Sequence, residues 1–251
     1  MLAGSQGKRM QRVDDLVAKA KQVIPSVDEI LNEAINNLQL ANLSQDKILQ
    51  DFANLVRKLE AEAFKVYQQY EGQAFKTLIQ LCRGKKTLLD EKKVELLVQA
   101  TRKLEFKAGQ MRKARGGASF QKIVQRLLNL AGIPCEEPHR ETRQLLKRID
   151  LVSPSAEVAK GTPDKAIFLA VKRTLRERWK QAVPEQMKGA RLYLVTMNGE
   201  CPEGKAEEIK QAGMVAYVPD GLKKEDHLRQ RSWIRPLSSL PKDIKEAIPK
   251  S

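Results

Sequence analysis

From residue 10 to about residue 113, apolar side chains recur every three or four positions, the spacing that places them on one face of an α-helix. Val13, Leu16, Val17 and Ala20 form the first stripe, and Val27, Ile30, Leu31, Ala34, Ile35 and Leu38 form the second. Pro25 lies between them and ends the first helix. Ser26, with Glu29 three residues on, has the form of a capping box that starts the next. Ser44 is placed to cap a third helix carrying Ile48, Phe52, Leu55, Val56 and Leu59, and a further helix is predicted from about Glu91 to Arg112. This half reads as all-helical, with no glycine-rich loop and no cluster of metal ligands.

The pattern changes at Arg115-Gly116-Gly117, where paired glycines predict a break and a boundary between residues 1–115 and 116–251. One more helix is expected from Ser119 to Ala131, with Phe120, Ile123, Val124, Leu127 and Leu128 on one face. After Gly132 the reading turns strand-like. Leu145 to Val152 suits one strand. Ala166 to Val171 is a nearly continuous apolar run, as a strand buried on both faces requires. A helix is expected from Thr174, a strand from Arg191 to Thr196, a helix from about Glu203 to Gln211, and a strand from Met214 to Val218 after Gly213. A weaker strand signal lies at 136–143. Strands alternating with helices predict an α/β fold, a sheet flanked by helices.

Composition narrows the partners. The 251 residues include 46 Lys and Arg against 31 Asp and Glu, a net charge of +15. Such an excess favours a polyanion. The three cysteines, Cys82, Cys135 and Cys201, are far apart and odd in number, which predicts free thiols in a reducing cytoplasm rather than a disulfide framework. With only His139 and His227, a zinc site of His and Cys is not expected. The N-terminus lacks the apolar run of a signal peptide, and no stretch is long and apolar enough to cross a bilayer.

Asp150 falls near the end of one predicted strand and Lys172 at the end of the next, so adjacent strand ends can bring a carboxylate and an ammonium together. A carboxylate can hold Mg2+ against a phosphate, and a lysine beside it can stabilise developing charge or position a nucleophile. One carboxylate is a poor anchor for a catalytic Mg2+, so a second acid is required. Two residues before Lys172, on the same strand face, stands Ala170. Glu185, 13 residues after Lys172, is the best substitute, with Pro184 either kinking a helix or opening a new turn before it. Arg176-Glu177-Arg178 opens the predicted helix. Arginine bonds guanine O6 and N7 with two parallel hydrogen bonds, and glutamate accepts from cytosine N4, so the triplet suits G and C read in a major groove. Trp179 beside it reads as a packing anchor.

Asp150, Lys172 after 22 residues, Arg176-Glu177-Arg178 and Glu185 together resemble the motif of type II restriction endonucleases that recognise CCGG, CCNGG or CCWGG, the group of EcoRII, PspGI, NgoMIV and BsaWI. The resemblance covers roughly residues 116–220. It implies a PD-(D/E)XK core, a central mixed sheet flanked by helices. The all-helical N-terminal domain ahead of it, 1–115, gives no independent match and reads as a bundle with a solvated charged face or, alternatively, as one that clamps DNA or joins subunits. In this group the second metal-binding acid is moved from the strand to the following helix, as Ala170 and Glu185 suggest. By resemblance Asp150 and Glu185 are metal ligands, Lys172 is the catalytic lysine, and Arg176, Glu177 and Arg178 contact the CC/GG half-site. Many such nucleases carry a glutamate in the first core helix, where this chain has Gln121, either orienting a water or metal ligand or capping the pocket. The implied activity is Mg2+-dependent hydrolysis of double-stranded DNA at a palindrome, leaving a 5′-phosphate and a 3′-hydroxyl. A palindrome and one site per chain imply a two-fold dimer, with higher assembly open, and such an enzyme needs a partner DNA methyltransferase. Two alternatives stay open: a repair or junction-cutting nuclease of the same fold, which needs no base-reading triplet, and a non-catalytic DNA-binding protein.

Overall fold

The structure, a computed structural model, describes residues 2–83, 90–140, 149–175 and 190–248. It divides into two compact units, Met1–Leu38 with Ala61–Gly116, and Gln39–Glu60 with Gly117–Ser251.

The first unit is helical. It contains α1 (Leu2–Lys21), α2 (Val27–Asn37), most of the long α4 (Phe52–Arg83) and most of the long α5 (Glu91–Leu130). Val13, Val17 and Ala20 of α1 pack with Leu78, Cys82, Leu96, Ala100 and Leu104 in one apolar cluster. The capping box at the start of α2 forms as expected. The Glu29 N–H donates to Ser26 Oγ at 3.3 Å, and the Ser26 N–H donates to Glu29 Oε2 at 2.7 Å, an arrangement that contributes about 1 kcal/mol to such a helix.

The helix predicted after Ser44 is two helices. Ser44 caps α3 (Gln45–Gln50), and Asp51 interrupts it before α4 (Phe52–Arg83) begins. Residues 39–60, read from the sequence as part of the helical half, group instead with the sheet-bearing unit. Phe52, Val56 and Leu59 are fully buried there.

A second difference concerns the paired glycines. No break occurs at Gly116-Gly117. One helix, α5, runs from Glu91 to Leu130 straight through them. Two helical glycines cost about 1 kcal/mol each, which long flanking turns and a buried apolar face can offset. Phe120, Ile123, Val124, Leu127 and Leu128 supply that face, all at 0% exposure.

Gly132 ends the helix. Its φ of 72° is left-handed. The Ile133 N–H donates to the Leu128 carbonyl at 2.9 Å and the Gly132 N–H to the Asn129 carbonyl at 3.0 Å, the two bonds of a Schellman closure. A Cβ at Gly132 would stand 2.6 Å from Gln45 Oε1. Gly132→Ala is therefore expected to cost about 1–2 kcal/mol, mostly from the left-handed backbone. A urea melt reads it as a lower midpoint at unchanged slope, and an unaltered midpoint would show that the turn tolerates a side chain.

The second unit is built on a five-stranded sheet in the order β1-β2-β3-β4-β5. Its elements after α5 are β1 (Leu151–Ser153), α6 (Ala156–Gly161), β2 (Ile167–Lys172), β3 (Arg191–Thr196), α7 (Glu203–Gln211), β4 (Met214–Val218), α8 (Asp220–Lys223), α9 (Asp226–Arg229), β5 (Ile234–Pro236) and α10 (Leu240–Ala247). β1 runs antiparallel to β2, and β2 to β5 run parallel, so the sheet is mixed. β2, β3, α7 and β4 fall where periodicity put them, to within a residue. β1 is shorter than expected within the described residues, and the rest of its predicted span, 145–148, lies outside them. Of the weak signal at 136–143, the described residues 136–140 show one isolated bridge, Glu136 to Val152, and 141–143 lie outside them. β5 was not expected: three residues ending in proline carry no alternation to read. It is fixed by pairing, Ala216 opposite Ile234, with the Ala216 N–H donating to the Trp233 carbonyl at 2.8 Å.

The core lies on both sheet faces. Phe168, Ala170, Leu192, Leu194 and Ala216 pack on one side with Ala206 and Ile209 of α7. On α10, buried Asp243 accepts from the Tyr217 hydroxyl at 2.8 Å and from Arg235 at 2.7 Å, tying α10 to β4 and β5. Among the described residues no helix is long and apolar enough to cross a membrane.

Candidate active site

Asp150 directly precedes β1 and is drawn into the ladder by its own N–H, which donates to the Leu169 carbonyl at 2.9 Å. The antiparallel register pairs Leu151 with Leu169, which sets Asp150 opposite Ala170. Alternation along β2 then puts Ala170 and Lys172 on that same face. The start of β1, just after the acid, therefore lies beside the end of β2, which closes on the lysine.

The side chains meet. Lys172 Nζ lies 2.9 Å from Asp150 Oδ1 and 2.6 Å from Oδ2. Asp150 Oδ2 also accepts the Val171 N–H at 2.7 Å. The two side chains are 18% and 29% exposed, buried enough to be held and open enough to be reached. These are charge-assisted bonds with one partner fixed to the backbone, so the carboxylate has a set orientation. Ala170, where an acid is usual in the resembled motif, is fully buried in the core and supplies no ligand.

Gln121 on α5 is the neighbour that the sequence singled out. Its Nε2 donates to the Asp150 carbonyl at 3.1 Å and reaches Glu137 Oε1 at 3.5 Å. It thus holds the Asp150 backbone, while Lys172 meets the side chain. Gln121→Leu is expected to loosen the Asp150 backbone and to lower about tenfold any rate that depends on this carboxylate. The check is a rate measured beside a far-ultraviolet melt; a full rate in a folded variant would remove Gln121 from the site.

Other residues of this region were not singled out from the sequence. Asn129 Nδ2 donates to the Cys135 carbonyl at 3.1 Å, and the Cys135 N–H donates to Asn129 Oδ1 at 2.8 Å. A side-chain amide there stands in for a strand, and it lays residues 133–137 beside β1. Thr196 pairs with Lys172 across β2 and β3 and is buried. Its hydroxyl donates to the Arg173 carbonyl at 3.4 Å. The Arg173 guanidinium meets Glu60 at 3.1 Å. Thr196 had one readable mark, a hydroxyl closing an apolar strand level with the lysine.

Arg176, Glu177, Arg178 and Glu185 lie outside the described residues, as do Trp179 and Pro184. Among the described residues no group of three or more His, Cys, Asp or Glu could hold a metal. Asp150 offers one hard carboxylate oxygen set, which suits a hard divalent cation but does not complete a site. The cysteines offer no nucleophile: burial raises all three thiols, Cys135 to about 12.

Comparison with known proteins places this geometry. The family described as EcoRII C terminal matches residues 85–240. The type II restriction enzyme SsoII of Shigella sonnei is 30% identical over 118 residues, covering 43% of this chain and 38% of that relative. The match therefore spans well under half of SsoII. Among solved structures, metal-depleted Ecl18kI in complex with uncleaved, modified DNA superposes with a TM-score of 0.74 at 18% identity, covering 94% of this chain and 83% of that one. The PspGI–substrate DNA complex gives 0.69 at 24% identity, covering 91% and 95%. At these identities the two structures establish the fold, a mixed sheet with helices of the restriction-endonuclease kind.

Proposed function

The chain belongs to the EcoRII C-terminal family of type II restriction endonucleases, and from that premise we propose that it cuts double-stranded DNA at a palindrome containing CCGG, or CC and GG around a central base pair. The observation that carries this reading is the Lys172 ammonium seated on both oxygens of the Asp150 carboxylate, at 2.9 and 2.6 Å, where two strands end together.

Asp150 and Glu185 would hold Mg2+. That ion would supply polarisation of the phosphate and a more acidic bound water. Lys172 stabilises the negative charge that builds on the phosphorus oxygens or orients the attacking water. The Val171 N–H holds the Asp150 carboxylate, and Gln121 holds the Asp150 backbone carbonyl. Arg176 and Arg178 bond guanine edges and Glu177 accepts from cytosine. Two copies related by a two-fold axis each read one half-site and cut one strand, leaving a 5′-phosphate and a 3′-hydroxyl. A DNA methyltransferase of the same specificity protects the host.

Incubation with plasmid and Mg2+, beside a parallel reaction in EDTA, tests the reading. Discrete fragments with Mg2+ alone support it. A smear points to a nuclease without site choice, and an intact plasmid to a protein that binds without cutting. Arg178→Ala tests the base-reading role separately. Loss of a bidentate guanine contact costs about 1–3 kcal/mol of discrimination, so cutting at the site should fall steeply while Mg2+ binding persists. Unchanged cleavage at the same sites would remove Arg178 from recognition.

A further inference from the structure

A cavity of about 380 Å3 is lined by His139, Arg140, Glu157 and Lys160. Two observations place it beside the candidate active site. The bridge between Glu136 and Val152 is antiparallel, so residues after Glu136 run toward the Asp150 end of β1. The Gln121 amide touches both the Asp150 carbonyl and the Glu137 carboxylate, so the backbone leading into His139 passes next to Asp150.

The cavity wall is tied together. Ser155 caps α6 by accepting the Val158 N–H at 3.2 Å. The Ala156 N–H donates to Glu136, and His139 Nε2 meets Glu157 Oε1 at 2.9 Å. α6 is thereby fastened to the 136–139 segment from two points. Among the described residues Glu157 is the one acid lining the cavity, and it is engaged by the imidazole, while the cations of Arg140 and Lys160 share the space with it. An open recess whose described lining is net positive suits a phosphodiester better than an apolar or cationic ligand.

We propose that this cavity receives a backbone phosphate of the DNA, on the strand being cut and close to the scissile position. The proposal rests on the reading that the chain cuts DNA. The contact positions the duplex and carries no sequence information.

Binding of a duplex with the CC/GG core and of a scrambled duplex is measured without metal, across about 50–200 mM salt, for the intact chain and for Arg140→Ala, Lys160→Ala, the double variant and Glu157→Gln. Each lost phosphate contact is expected to lower the slope of log K against log salt by about 0.9 and to weaken both duplexes by the same factor. Glu157→Gln is expected to tighten both. A methylphosphonate at one phosphate flanking the cut should weaken the intact chain and leave the double variant unaffected. An unaltered slope and affinity in the double variant overturn the proposal. So does a thermal stabilisation by inorganic phosphate that the double variant loses while its DNA binding is unaltered, because the cavity is then a site for the free ion. A chain that shows the slope change but never cuts plasmid leaves the cavity assignment standing and removes the proposed activity. A chain that cuts with no slope change does the reverse.

Discussion

Lys172→Ala should lower DNA cleavage by about 100- to 10,000-fold while leaving specific DNA binding in place, the range over which removal of a positioned charge or acid–base group acts. The geometry explains the split. Lys172 ends β2 with its ammonium on both Asp150 oxygens, so it faces the carboxylate. Removing it takes away a positive charge where phosphate charge develops. The Val171 N–H remains on Asp150 Oδ2 at 2.7 Å, so the carboxylate keeps its place and metal binding survives. Single-turnover cleavage beside a binding isotherm measures both quantities. Cleavage retained in Lys172→Ala excludes the lysine from the chemistry, and binding lost along with cleavage assigns it to recognition.

Asp150→Asn should be as damaging, with a different signature. The amide keeps the side chain's shape and can still accept the Val171 N–H, so the fold should persist. It loses the charge that would hold a divalent cation. Several kcal/mol of charge stabilisation go with the ion, and at about 1.4 kcal/mol per tenfold this is a loss of roughly 100- to 1000-fold or more. The calorimetric response to Mg2+ should disappear in this variant and remain in Lys172→Ala. Equal Mg2+ binding in Asp150→Asn and the intact chain would show that this carboxylate is not a ligand.

The part of the site that is now visible was legible because it depends on local pattern. Two short apolar runs, one starting just after Asp150 and the other ending on Lys172, fix both strands and the two side chains at their neighbouring ends, although Asp150 stands ahead of its strand and not near the far end of it as read from the sequence. Pairing of β1 with β2 then needs only the antiparallel register to bring Asp150 and Lys172 into contact. The capping box at Ser26 and the strand after Gly213 were legible for the same reason. What escaped is set by tertiary context. Gly116-Gly117 reads as punctuation, yet buried flanks carry α5 through it. β5 is defined by its neighbour rather than by its own residues. Asn129, which mimics a strand partner for Cys135, looks like any polar helix residue. The adjacent pair His139-Arg140 and the distant pair Glu157 and Lys160 become a group only when α6 folds back. Glu185 and the Arg176-Glu177-Arg178 triplet rest on spacing and resemblance, outside the described residues.

Sequencing the ends of plasmid fragments made with Mg2+ tests the central claim most directly, because it fixes site choice and cut position together. The expected result is a CC/GG core spanning every junction, with a 5′-phosphate at each end. Ends scattered without a shared core, or no ends at all, contradict it.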